Sequence, residues 1–281
     1  MYSGKIVIKL LLSLALLSGG VHAEEKTYSF GVLNQRSITL TAQYWNPILK
    51  YLSDKSGVRL QLKMGKTAPE TSAMIGRSEF DFVYANHVFY PPNTSAGYHV
   101  IVRPVDASIQ GQIVTLADSP IHTLKDLDGK EVGFPSPIAF VGYFVPMNTL
   151  LHAGVTVKPV FAGNQEGIMG QLKAGRVIAA GVNSRVMRDF ARREGVKYRV
   201  LWTSEDYLEL PVSAHPSVPK ERVKAVRDAF VTMAKDPEGL KILEASAALI
   251  KQPPPFGFVQ SDDREYENYR IFYRSSLIKE F

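Results

Sequence analysis

The 281-residue chain contains no cysteine. Disulfides, thiolate metal sites, a cysteine nucleophile and a lipid-modified cysteine anchor are thereby excluded. Its six histidines (His22, His87, His99, His122, His152 and His215) show no metal-ligand spacing. There is no G-x-S-x-G nucleophile elbow, no phosphate-cradling G-x-x-x-x-G-K loop and no dinucleotide-binding G-x-G-x-x-G turn. These absences argue against an enzyme, and neither a cofactor nor a metal is expected. Concentrated charge is missing too. The formal net charge is +6, yet Arg192-Arg193 is the only adjacent pair of arginines, whereas a nucleic-acid partner calls for a dense basic patch. No low-complexity run or internal repeat points to disorder or a solenoid.

Long apolar runs are equally scarce. The longest is Leu10 to Leu17, LLLSLALL, too short for the roughly 20 apolar residues of a membrane-spanning helix. It follows Lys5 and Lys9 and precedes Val21-His22-Ala23, with small or modest residues at the −3 and −1 positions of a cleavage site. Residues 1–23 therefore read as a secretory signal peptide, cleaved before Glu24, which places the mature chain in the periplasm. Losing Lys5 and Lys9 with the leader brings the net charge to +4.

What remains is of ordinary globular make-up, 45% apolar and 21% charged, and alternates strand and helix signals. Tyr28 to Val32 reads as a strand. Trp45, Ile48, Leu49 and Leu52 recur at helical spacing, closed by Gly57. Val58, Leu60, Leu62 and Met64 alternate with polar residues as a strand does. Thr67-Ala68-Pro69-Glu70 resembles a helix capping box, and Phe80 to Ala85 is a further apolar strand. Residues 28–85 thus form a βαβαβ pattern, which implies a largely parallel sheet with helices on its faces. A second unit runs through strands at 112–116, 131–134, 155–161, 177–182 and 198–202, with helices at 143–152, 165–172 and 184–193. Leu210 to Ala214 reads as a strand returning to the first unit. Helices opening at Pro219 and spanning 237–250 and 262–279 complete the chain, with Asp262-Asp263 as an N-cap. The expected organisation is a first lobe of 24–106 plus 208–281 and a second of 107–207, joined by two crossings, with a ligand cleft between them.

Ile121-His122-Thr123-Leu124-Lys125-Asp126-Leu127-Asp128-Gly129-Lys130 carries the string I-x-T-L-x-D-L-x-G-K. It resembles the start of the second lobe in type II periplasmic binding proteins. Trp45-Asn46-Pro47-Ile48-Leu49-Lys50-Tyr51-Leu52 is similar to the first helix of the phosphate/phosphite/phosphonate-binding subgroup. So are Ser78 to Tyr84, with Ser78 in place of a glycine, Gly142-Tyr143-Phe144-Val145-Pro146, and Leu172 to Gly181, with Ala179 at a position usually acidic. The resemblance spans the mature chain. It implies a two-lobed α/β fold, each lobe a mixed, mostly parallel sheet flanked by helices. It also implies a monomeric, non-enzymatic periplasmic protein that clamps a small ligand and delivers it to an ABC permease.

The resemblance places four loops at the cleft: Leu33 to Arg36, with Asn34 and Arg36; Lys66-Thr67; Tyr84 to His87, with Asn86; and Ser136 to Tyr143. Tyr44 and Trp45 start the first helix; Tyr44 points the same way, while Trp45 fits the core stripe. Arg36 is either an anion partner or a solvated loop arginine, and Thr67 a ligand contact or only a cap. Phe140 is either a cleft wall with Tyr143 or interlobe packing, and Tyr207 packs at the hinge or touches ligand. The family's Ser-Thr-Ser run, whose hydroxyls would hold oxyanion oxygens, is replaced by Ala139-Phe140-Val141, and a Ser-His pair by Gly163-Asn164. At about 1–3 kcal/mol per lost charged hydrogen bond, a buried dianion would be held several kcal/mol less tightly. The alternatives are therefore the same fold holding an apolar, aromatic or lipid-like ligand, or a ligand-sensing subunit serving a periplasmic receptor domain of a kinase.

Overall fold

The computed structural model describes residues 26–106 and 108–279, and every structural statement below concerns them. The leader expected over 1–23 lies outside the described residues.

The first βαβαβ unit forms in the expected order, with its long helix beginning at Ile38 rather than at Tyr44. Strand Tyr28–Val32 lies between Leu60–Lys63 and Phe82–Tyr84 and is parallel to both. Helix Ile38–Ser56 connects the first two strands and Ala68–Gly76 leads to the third. The Ser37 hydroxyl accepts from Leu40 N to start the long helix, and Gly57, at φ 65°, ends it in the left-handed conformation that glycine adopts without a Cβ penalty. Trp45, Ile48, Leu49 and Leu52 are buried on its inner face. The Trp45 ring sits 5.3 Å from Phe30 and 4.8 Å from Tyr84.

Three antiparallel strands extend this sheet to six: Val212–Ala214, His99–Pro104 and the edge strand Phe258–Gln260. The last two have no counterpart in the sequence reading. A second sheet has five strands, in the order Tyr198–Thr203, Gly111–Leu116, Ala180–Asn183, Glu131–Phe134 and Lys158–Phe161. The two chain crossings between the sheets pair with each other. Ser108–Ile109 and Tyr207–Leu208 form a two-stranded antiparallel ribbon.

Two helices differ from expectation, each for a local reason. The helix predicted over 143–152 is preceded by a wide turn, Phe140–Phe144, in which Tyr143 N and Phe144 N both donate to the Ala139 carbonyl. The regular helix follows as Val145–His152. Pro146 has no N–H and its ring would press on the Gly142 carbonyl in a regular turn, so widening relieves the contact. The helix predicted over 262–279 divides into a short turn, Asp263–Tyr266, and the helix Glu267–Ser275. Beyond it, Asn148 Oδ1 accepts from Leu277 N at 2.8 Å and from the Ser276 hydroxyl at 3.2 Å, an alternative to continuing the helix.

The cores are not confined to one sheet each. Phe140, Val141, Phe144 and Val145, from the second sheet's half, share one buried cluster with Phe89, Tyr266, Tyr269 and Phe272 from the first. Phe140 stacks on Tyr269 at 4.2 Å and meets the edges of Tyr207 at 4.8 Å and Phe272 at 5.1 Å. Ile278 packs against both this cluster and the core under the second sheet.

Candidate functional site

Elements from both halves enclose a cavity of about 30 Å³. From the first half come Asn34, just past the opening strand, and Asn86 and His87, which begin the turn after strand Phe82–Tyr84. From the second come Ser136, Ala139, Phe140, Val141 and Asn164. Ends of parallel strands are where the chain must leave the sheet, so polar side chains there face the gap between halves.

Hydrogen bonding sorts these side chains by role. Asn34 braces its own half: its Nδ2 donates to the Gly65 carbonyl at 2.9 Å and its Oδ1 accepts from the Thr71 hydroxyl at 2.6 Å. Asn164 caps helix Gln165–Lys173 by accepting from Gly167 N at 2.8 Å. In contrast, Asn86 Oδ1, both His87 ring nitrogens and Ser136 Oγ are buried without a hydrogen-bond partner. Burial holds the His87 imidazole neutral, its pKa lowered from 6.5 to about 4, with the Ile138 carbonyl offsetting part of the effect. No Asp, Glu, Lys or Arg lines this cavity.

A neighbouring cavity of about 60 Å³ shares Leu33 and Gln35 with the first and takes in Arg36, Tyr44 and Tyr84. This one is charged. Arg36 lies 3.7 Å from Asp189, on a helix of the second half, and Arg185 pairs with Asp106 beside the crossing. Asp189 is buried, and desolvation raises its pKa from 3.8 to about 6 against the pull of Arg36, Arg185, Arg192 and Arg188. Burial also raises the Tyr44 and Tyr84 phenols, the Tyr84 phenol strongly. The Gln35 carbonyl accepts from Glu166 N at 3.3 Å, so the Gln35-Arg36 segment is docked on the second half through backbone and side chain.

Eleven of the thirteen residues singled out from sequence therefore line one of two adjoining cavities. Thr67 and Tyr143 line neither. Thr67 is exposed and accepts from Glu70 N as a helix cap. Tyr143 packs edge-on against Phe134 at 5.0 Å and Phe161 at 5.2 Å. Phe140 combines the roles left open for it, packing between the halves and walling the cavity. Sequence reasoning missed Gln165, Asn183, Arg185 and Glu209. Asn183 closes a strand and caps the next helix, a signal that its sequence position offers, whereas nothing in the pattern around Glu209 announces a buried acid.

Residues 30–266 match the family model for the phosphonate periplasmic substrate-binding protein of ABC transporters. The chain belongs to that family. A curated member of it, the phosphonates-binding periplasmic protein of Escherichia coli strain K12, is 23% identical over 255 residues, covering 83% of this chain and 75% of that one. Among solved structures, a binding-protein component of an ABC phosphonate transporter from Pseudomonas aeruginosa superposes with a TM-score of 0.75 at 18% identity, covering 88% of this chain and 85% of that one. PhnD1 from Prochlorococcus marinus, solved with methylphosphonate, gives 0.74 at 16% identity, covering 89% and 98%. Likeness at such identities establishes the fold, a pair of α/β lobes as in other periplasmic binding proteins. In this phosphonate-binding-family protein, Ala139, Phe140 and Val141 bring hydrocarbon to the cavity wall where the family's hydroxyl run is expected.

Proposed function

We propose that this protein receives a small solute between its two halves, in the cavity bounded by Asn86, His87 and Ser136, and hands it to an ABC permease. The observation that supports this most is the convergence of buried, unpartnered polar atoms from both halves on one enclosed space. A buried polar atom without a partner costs roughly 1–3 kcal/mol, and a ligand that bridges Asn86 and His87 to Ser136 recovers that cost only when the halves are together. Solute capture is thereby linked to closure, and the closed form is the signal a permease can read. The role is one of binding and release, without chemical change to the solute. The leader at residues 1–23 delivers the protein to the periplasm, and the intact mass of the exported chain is expected to begin at Glu24.

The test is thermal unfolding of the leaderless chain against the low-mass fraction of a periplasmic extract and against pure small solutes. A ligand at about 100 times its Kd adds roughly 2.7 kcal/mol, which for a chain of this size moves Tm by about 5–10 °C. A Tm that no fraction or solute moves would overturn the reading.

A further inference from the structure

The cavity of about 60 Å³ that adjoins the solute cavity is lined by charges of both signs, Arg36 and Arg185 against Glu209. Arg185 is already neutralised, since it pairs with Asp106. Arg36 is held less well. Among the described residues its guanidinium has one ion-pair partner, Asp189, and 3.7 Å is too long for a hydrogen bond. Asp189 has a second partner in Arg192, at 3.6 Å on its own helix, so Arg36 can turn to a ligand without stranding that carboxylate. Glu209 is 3% exposed and belongs to no salt bridge among the described residues; its Oε1 accepts from Leu210 N at 3.2 Å. The Tyr84 hydroxyl, on the same wall, is engaged by none of the described residues.

A cation and an acid taken out of water without close partners are costly to the fold, and a ligand that pairs with both recovers that cost. A simple anion would gain from Arg36 and be repelled by Glu209, and a simple cation would meet the reverse. A molecule that carries both signs finds a partner at each end. The guanidinium matches a planar carboxylate through two parallel N–H···O bonds, while carboxylate and phenol oxygens accept from an ammonium. Tyr44 and Trp45 add aromatic wall. At about 10–15 Å³ for each water-sized group, the 60 Å³ of space takes about four to six such groups, the size of glycine.

We infer that this cavity is a second ligand site, separate from the solute cavity, and that it takes a small zwitterion bearing a carboxylate and an ammonium. Neither Arg36 nor Glu209 lines the solute cavity, so the two sites stand or fall apart. Glu209 directly follows the second crossing, Tyr207–Leu208, and Arg185 belongs to a helix of the second half, so a molecule held here touches both halves beside the hinge.

The test is calorimetric titration of the leaderless chain with glycine, acetate, methylammonium and leucine at neutral pH. Glycine is expected to bind, acetate and methylammonium to bind at least about tenfold more weakly, and leucine, too large for the space, to give no binding. Arg36→Gln and Glu209→Gln are each expected to weaken glycine binding about tenfold or more, the loss of a charge-assisted contact. A cooperative urea transition shows that each variant folds; Tyr84→Phe, which keeps the ring and removes the hydroxyl, replaces one that does not and is expected to weaken binding about two- to tenfold. Acetate or methylammonium binding as tightly as glycine overturns the zwitterion. Leucine binding as tightly, or glycine binding that no substitution weakens, places the contact outside this cavity and also overturns the proposal. If glycine does not bind, the proposal falls, and the reading of the solute cavity is untouched.

Discussion

His87 and Asp189 place opposite pH dependences in one molecule, and substituting either exposes the other. Burial lowers His87 from 6.5 to about 4, so between those values the unfolded chain binds a proton that the folded one does not. The neutral imidazole then contributes stability that is fully present above pH 6.5 and is lost as pH falls toward 4. At 1.36 kcal/mol per unit of pKa, the contribution is about 3 kcal/mol. Burial raises Asp189 from 3.8 to about 6, so here the folded chain holds the extra proton. Its contribution, also about 3 kcal/mol, is fully present below pH 3.8 and is lost as pH rises through 6. Across pH 4–6.5 the two nearly cancel. The His87→Gln variant removes the first alone, so its stability relative to the parent is expected to rise by about 3 kcal/mol as pH falls from 7 to 4. Urea unfolding at half-unit pH intervals measures the difference, in which the surface carboxylates common to both proteins drop out. Parallel stability profiles for parent and variant would refute the argument, since they would mean that His87 titrates normally and is not enclosed.

Two further perturbations test the packing. Phe140→Ala removes a ring, 2% exposed, that four aromatic neighbours surround, and is expected to cost about 3–5 kcal/mol in denaturant unfolding; a cost below about 1 kcal/mol contradicts the shared aromatic core. Gly181→Ala would put a methyl 2.6 Å from the Gly142 carbonyl and 2.7 Å from the Phe134 ring, for an expected loss of about 1–3 kcal/mol. Gly170→Ala, in a helix with nothing within 4 Å of the added methyl, should gain about 0.5–1 kcal/mol, and the opposite ordering of the two glycine variants would contradict the close approach at Gly181.

The first βαβαβ unit was legible because its second strand alternates at period two and its long helix at 3.6, with Gly57 marking the end of that helix and Thr67 the start of the next, whereas the Ser37 cap lies ahead of the apolar stripe that begins at Trp45 and was not legible from it. Strands of two or three residues, such as Ser108–Ile109 and Phe258–Gln260, are too short to show a period, and sheet pairing alone defines them. His99–Pro104 is largely buried and lacks alternation, so it resembles any short apolar run. Asn86, His87 and Ser136, which line the smaller cavity, were legible as candidates because they follow strand ends. Tyr143 was not, because the wide turn forced by Pro146 carries it onto the Phe134 and Phe161 side. The Arg36–Asp189 pair joins residues 153 positions apart, beyond the reach of local pattern.

The attachment of the chain's end to Asn148 bears on how far the molecule can swing. Leu277 and Ser276 follow a helix packed with the first sheet's half, yet they are held by a side chain of the second, and Ile278 is lodged against both cores. Rotation of one half about the paired crossings must either strip these residues from Asn148 or drag the terminal segment along. The tail is thus a tether added to the two covalent strands, and the resting angle of the molecule is set partly by its last few residues.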